Sequence, residues 1–329
     1  MVTIRGKRKR CDDSTPLSSS PSCKDAAVVE ATLNQLFQET DHTQTVIATR
    51  TKAGWCLREG LMHILSVRRN DTGKDKMADV VRDHPLPSIY SSLQCCHRPN
   101  KDDGDVEGDG DGDPKDCFQS LCKTIAGQQL AGAAARTVWN RLLLTTDHNP
   151  TPATILSLVN ASNGIDSYDE SLLRTALQTP SGLSLAKARA ILDTAFHFRS
   201  GRISDEFLAS SPEASVRDRL LAIRGIGPWT CDIFLMFFLE RSDVLPFGDL
   251  GVRKGMAKFF GLKGSGKNAV LCGKKDFEVM ERVMEPYRPY RSLAAYYMWK
   301  VADDKNFECD GGSGSGSGGR SRGEEKKSF

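Results

Sequence analysis

Arg224 to Cys231 reads RGIGPWTC, two glycines and a proline between apolar segments, VRDRLLAI before and WTCDIFLMFFL after. Gly225 and Gly227 can take positive φ and let another backbone come close. Pro228 suits the first turn of the next helix, where its missing N–H costs nothing. The pattern predicts a tight hairpin whose backbone amides stand at a helix N-terminus, a natural seat for a phosphate. A plain αα corner would use the same residues, and the stretch alone does not separate the two. Asp249 follows twenty residues after Trp229, in GDLGVRKG, where it predicts an N-cap for the following helix worth about 1 kcal/mol.

Other chemistry-bearing types are less well arranged. Lys101 to Asp116, KDDGDVEGDGDGDPKD, nearly fits the spacing of a calcium loop. Its twelfth position is Asp where Glu is expected and Pro114 interrupts it, so a flexible acidic loop is predicted. The histidines at 42, 63, 84, 97, 148 and 197 show no metal-ligand spacing, and no catalytic metal is expected. The ten cysteines are scattered through the chain, which suits reduced thiols rather than a disulfide framework.

The elements that would position these residues read as helices. Phe118, Leu121, Cys122, Ile125 and Leu130 begin a long one that continues through Ala134, Val138 and Leu142. Leu183 to Phe198, Val216 to Ile223, the almost wholly apolar Trp229 to Leu239, and Tyr290 to Ala302 are further helices. No run of alternating β-branched residues occurs, so the class is mostly α. Val29, Leu33, Leu36 and Phe37 predict one short amphipathic helix, but the rest of 25–77 gives no clear element and is a poorly defined N-terminal extension. Residues 1–24, rich in Ser, Pro and Lys/Arg, and the Gly/Ser tail 305–329 read as disordered. The ordered unit is therefore placed at 78–304.

Of 329 residues, 39% are hydrophobic and 26% charged, and the net charge is +3. The segment 101–116 carries eight acidic and two basic side chains, a local −6, so the remainder sums to +9. A basic body with one acidic loop suits a polyanionic partner. Gly6 to Arg10, GKRKR, suits a nuclear localisation signal or a nonspecific nucleic-acid contact, and equally a solvated basic tail. No stretch approaches the roughly 20 apolar residues that a membrane helix needs, and no secretory h-region stands at the N-terminus.

Taken together, four segments resemble the helix-hairpin-helix DNA glycosylases, and within them the 3-methyladenine DNA glycosylases. They are LLAIRGIGPWT with GDLG (248–251), FQSLCKTIAGQQLAGAAARTVWNR (118–141), GLSLAKARAI (182–191) and PYRSLAAYYMWK (289–300). They fall in the family's order across roughly 78–304. The resemblance implies a two-lobed α-helical fold and a monomer that flips a damaged base out of double-stranded DNA. It implies hydrolysis of the N-glycosidic bond to alkylated purines, chiefly 3-methyladenine and also 7-methylguanine, in base excision repair in the nucleus.

By the same resemblance Asp249 is the catalytic carboxylate. Trp229 stands where bifunctional relatives carry a nucleophilic lysine, which implies a monofunctional enzyme leaving an abasic site. Trp229 would offer its π face to an electron-poor base, with Gln128, Tyr287 and Tyr290 lining the pocket. Gln129 and Leu130 would wedge into the duplex. The amides of Gly225, Ile226 and Gly227, with Lys187, Arg253 and Lys254, would hold phosphates. The hairpin of such enzymes also binds a monovalent cation through backbone carbonyls. Only Cys272 and Cys309 follow residue 240, so the iron–sulfur cluster of some relatives is not expected. Two other readings stay open: a glycosylase for uracil, hypoxanthine or cyclic adducts, and a non-catalytic DNA-binding module.

Overall fold

The computed structural model describes residues 54–67, 76–84, 116–130, 132–161, 167–266, 270–305 and 307. The expected helix at Val29–Phe37, the basic cluster at 6–10 and all of the acidic insert except Asp116 lie outside the described residues. Asp116 itself is a helix cap, its side chain accepting the Gln119 amide at 2.8 Å.

The described chain is helical, with no β-strand among the described residues. The elements are α1 (Leu57–Ser66), α2 (Lys76–Asp83), α3 (Cys117–Gly127), α4 (Gly132–Thr145) and α5 (Pro152–Leu158). A run follows with α6 (Glu170–Leu172), a π-helical stretch Leu173–Gln178 and α7 (Thr179–Ser181). Then come α8 (Leu185–Arg199), α9 (Asp205–Ser210), α10 (Glu213–Leu221), α11 (Pro228–Phe237), α12 (Leu250–Phe260) and α13 (Phe277–Met284). A single 3-10 turn, Glu285–Tyr287, leads to α14 (Arg291–Asp303). Ser, Thr and Asp side chains cap the first turns of α3, α5, α8, α9 and α12, each accepting an amide that the helix leaves without a partner.

The helices pack in two groups around one continuous core. One group gathers α3 to α8 and reaches α11 through α3; the other gathers α12, α13 and α14 with α1 and α2. In the second group α12 lies directly on α14. A Cβ on Gly255 would drive into the Met298 carbonyl, and one on Gly251 into the Trp299 ring. Those two glycines, four residues apart, give α12 a face with no side chains, and this brings its N-terminus against Trp299.

Two expectations change here. The helix read from Phe118 through Leu142 is two helices, because the chain turns at 128–131 with Gln129 at φ 58. The apolar spacing persists across that turn, so periodicity alone could not show it. The segment 25–77 also contains core: Trp55, Leu57, Leu61, Ile64 and Leu65 are buried, and α1 packs on α14. At the other end Phe307, inside the expected tail, stacks on Phe259 at 6.0 Å between centroids.

Candidate active site

Asp249 caps α12, its Oδ1 accepting the Val252 amide at 2.9 Å. The same oxygen accepts the Trp299 indole N–H at 2.6 Å, and Oδ2 accepts the Trp229 N–H at 2.8 Å. Three donors therefore fix a partly exposed carboxylate, and none of them is a cation. The rings are fixed in turn: Trp299 stacks on Phe237 with centroids 5.3 Å apart, and Trp229 starts α11 just after Pro228. Both indole nitrogens keep their lone pairs in the aromatic ring, so neither can attack a sugar carbon. What the arrangement offers is one oriented carboxylate held by the N–H edges of two indoles.

The hairpin that delivers Trp229 is built as the sequence predicts at its first glycine and differently at its second. Gly225 has φ +85, and a Cβ there would come within 2.5 Å of the Ala190 Cβ on α8. Ile226 is buried, and Asp193 accepts the Arg224 amide at 2.6 Å, so the turn is anchored to α8. Gly227 is not in the left-handed region. It is the N-cap of α11 at φ −96, and a Cβ there would meet nothing within 4 Å. Among the described residues neither the Gly225 nor the Gly227 amide donates a hydrogen bond. The Ile223 carbonyl accepts only the Ile226 amide, and the Ile226 carbonyl accepts none among the described contacts. Each oxygen keeps lone pairs with which a monovalent cation could be met.

The turn between α3 and α4 stands beside the hairpin. Gln129 and Leu130 are exposed at its tip. Gln128, expected in a base pocket, instead turns its amide onto the hairpin, donating to the Gly225 carbonyl and to Thr230 Oγ1 at 3.0 Å each. Lys187, expected at a phosphate, donates to the Ala126 and Gln128 carbonyls at 2.8 and 2.7 Å. It thereby satisfies the open C-terminal carbonyls of α3, and partial burial pulls its pKa below the usual lysine value. Arg253 is also engaged, reaching the Leu271 carbonyl at 2.6 Å and the Asp249 carbonyl at 3.3 Å. Of the three cations expected at phosphates only Lys254 is fully exposed.

Tyr287 and Tyr290 do not meet Asp249. Tyr287 is 1% exposed and packs edge-on against Phe260, eleven residues or about 16 Å along α12 from the carboxylate. Tyr290 precedes α14 and packs against Trp55 and His63, nine residues or about 13.5 Å before Trp299. Their ring contacts are with Phe260 and with Trp55 and His63, and neither is a hydrogen-bond partner of Asp249. Trp299, which sequence reasoning passed over, takes the place beside Asp249. The signal was the tryptophan near the end of PYRSLAAYYMWK, nine residues beyond the tyrosine chosen instead.

No family model matches the chain. Curated proteins do. It is 31% identical over 195 residues to DNA-3-methyladenine glycosylase 1 of Schizosaccharomyces pombe, a match covering 57% of this chain and 73% of that protein. It is 24% identical over 188 residues to the alkylbase DNA glycosidase-like protein mag2 of the same yeast, covering 56% and 77%. It is 24% identical over 216 residues to the DNA-3-methyladenine glycosylase of Saccharomyces cerevisiae, covering 57% and 67%. Among solved structures, the S. pombe 3-methyladenine DNA glycosylase in complex with abasic DNA superposes with a TM-score of 0.44 at 27% identity, covering 60% of this chain and 85% of that one.

Proposed function

The chain belongs to the family of DNA-3-methyladenine glycosylases, and we propose that it excises alkylated purines from double-stranded DNA by hydrolysis, leaving an abasic site for base excision repair. The observation that carries this reading is the Asp249 carboxylate held by two indole N–H groups, with no amine among the described residues bonded to it.

Cleavage of the N-glycosidic bond develops positive charge on the deoxyribose, as in glycoside hydrolysis. A carboxylate fixed in advance stabilises that charge without reorganising as it forms. Asp249 also accepts a proton from, or orients, the attacking water. A 3-methylated adenine already carries positive charge and leaves without strong general-acid help, so one carboxylate suffices. Trp229 and Trp299 hold the carboxylate and present π faces to the cationic base, a contact worth about 0.5 to 2 kcal/mol. Removing the base from the stack costs a few kcal/mol, and Gln129 with Leu130 would fill the gap.

The free amides of Gly225 and Gly227 at the start of α11 would take a phosphate, and the Ile223 and Ile226 carbonyls would hold a monovalent cation against it. No iron–sulfur cluster or catalytic metal enters this reading, since two cysteines after residue 240 cannot supply four thiolates. The protein acts as a monomer, and the nucleus is its proposed location, from GKRKR and from the substrate. No helix among the described residues is long and apolar enough to cross a membrane.

The test is release of free bases from methylated duplex by the wild type beside Asp249→Asn. The swap keeps size and capping while removing charge. The wild type is expected to release 3-methyladenine without cutting the strand, and the variant to bind but release it about 10²- to 10³-fold more slowly. Release of uracil or hypoxanthine with no alkylated base would move the substrate to another lesion. Tight binding with no release of any base would make the protein a binding module.

A further inference from the structure

Residues 261–276, between α12 and α13, read GLKGSGKNAVLCGKKD. Among its described residues only Leu271 is fully buried, yet several of them are tied together by hydrogen bonds. The Asp276 amide donates to the Cys272 carbonyl at 2.8 Å. Asp276 Oδ2 accepts the amides of Ser265 at 2.8 Å and Cys272 at 2.7 Å, and Gly266 donates to the Val270 carbonyl at 2.9 Å. Asp276, the segment's single acid, is thus directed at backbone amides rather than at the neighbouring lysines. Lys263, Lys274 and Lys275 are exposed, as is Lys254 on α12, and none forms an ion pair among the described residues. Leu271 ties the turn to the core, while Lys274 and Lys275 stay exposed on it.

Its location gives that exposure a use. Gly273 lies so close to the residue leading into Asp249 that a Cβ on it would stand 2.7 Å from the Phe247 carbonyl. Arg253 ties the Leu271 carbonyl to the Asp249 carbonyl, and Phe277 rests on Phe247 with centroids 4.2 Å apart. The lysine pair therefore follows directly on a residue in contact with the loop that ends in Asp249. Glu278, one turn on, is the nearest exposed opposing charge in sequence and leaves the pair unpaired.

We propose that this turn is a second DNA-backbone contact, in which Lys274 and Lys275, flanked by Lys254 and Lys263, grip phosphates beside the nucleotide whose base meets Asp249. It rests on the reading of the chain as a DNA glycosylase. It adds a clamp of point charges to the hairpin contact. Each neutralised phosphate releases counterions and adds about 0.9 to the slope of log affinity against log salt.

The test uses the full chain and Lys274→Ala/Lys275→Ala, with binding to undamaged and methylated duplex measured between 50 and 200 mM salt. Loss of two phosphate contacts lowers the slope by about 1.8, so the wild type should lose about 12-fold more affinity than the variant across that range. Lys274→Arg/Lys275→Arg should restore the slope. An unaltered slope in the alanine variant overturns the clamp, as does an altered slope that the arginine variant fails to restore. Binding to undamaged duplex reads the clamp independently of catalysis. A wild type that binds with the steeper slope but releases no base sinks the glycosylase reading and leaves the clamp standing. A wild type that releases base while the variant keeps its slope sinks the clamp alone.

Discussion

Two aromatic clusters flank the α12–α14 contact, and they use their rings in opposite ways. Around Asp249, Trp229 and Trp299 aim their N–H groups at a partly exposed carboxylate. Around Tyr287 and Tyr290, Phe260 packs on the first and Trp55 and His63 on the second, and Trp55 spends its N–H on the buried Glu240 carbonyl at 2.7 Å. The residue types are alike. The difference is that one set of polar edges converges on a charge left open to solvent, while the other serves the inside of the protein. An aromatic residue marks a site only when its polar edge has something chemical to hold.

The largest break of that contrast would come from Tyr287→Ala. Emptying a side chain that is 1% exposed should cost about 3–5 kcal/mol of stability. Base release per folded molecule, measured in a single turnover below the unfolding range, should stay at the wild-type rate. A variant of unchanged denaturation midpoint that no longer released base would return Tyr287 to the pocket.

Trp299→Phe sharpens the other side. The ring and its stack on Phe237 remain, and only the donor to Asp249 Oδ1 is lost. A hydrogen bond to a charged group contributes about 1.5–3 kcal/mol, so excision should slow about 10- to 100-fold while duplex affinity changes little. Equal rates for phenylalanine and tryptophan would mean that Trp299 contributes its face alone.

The sequence made one of these clusters legible and misplaced the other for a physical reason. RGIGPWT carries its own geometry, since Pro228 sets φ at the first turn of α11 and Gly225 must turn left-handed against Ala190. Asp249 announced its cap through position alone. By contrast, nothing in PYRSLAAYYMWK says which ring faces the carboxylate, because that depends on where α12 crosses α14, and the crossing is set by the bare face of Gly251 and Gly255. The turn at 128–131 was hidden in the same way. Its carbonyls are satisfied by Lys187 and its register is held by Gln128 on the hairpin, partners about sixty and a hundred residues away. Those two side chains, singled out for phosphate and base, tie the turn after α3 to α8 and to the hairpin. The core role of α1 was missed because its partners, Tyr290 and Leu293, lie at the far end of the chain.

The smallest expected effect on stability is the most telling about DNA. Gly225→Ala should cost about 2 kcal/mol or more, from left-handed backbone and from collision with Ala190. Gly227→Ala meets no atom within 4 Å and needs no left-handed backbone. Alanine is a poorer N-cap than glycine, but it also restricts the unfolded chain, and the two effects are of similar size and opposite sign. Its denaturation midpoint should therefore match the wild type. Nothing in the fold crowds a side chain at 227, so the proposed phosphate is what a side chain there would meet. A phosphate drawn to the Gly225 and Gly227 amides would meet the new methyl group, and affinity for undamaged duplex should fall about tenfold. If Gly227→Ala binds DNA as well as the wild type, the backbone does not come in at this glycine, and the seat for the phosphate has to be sought on the lysine turn instead.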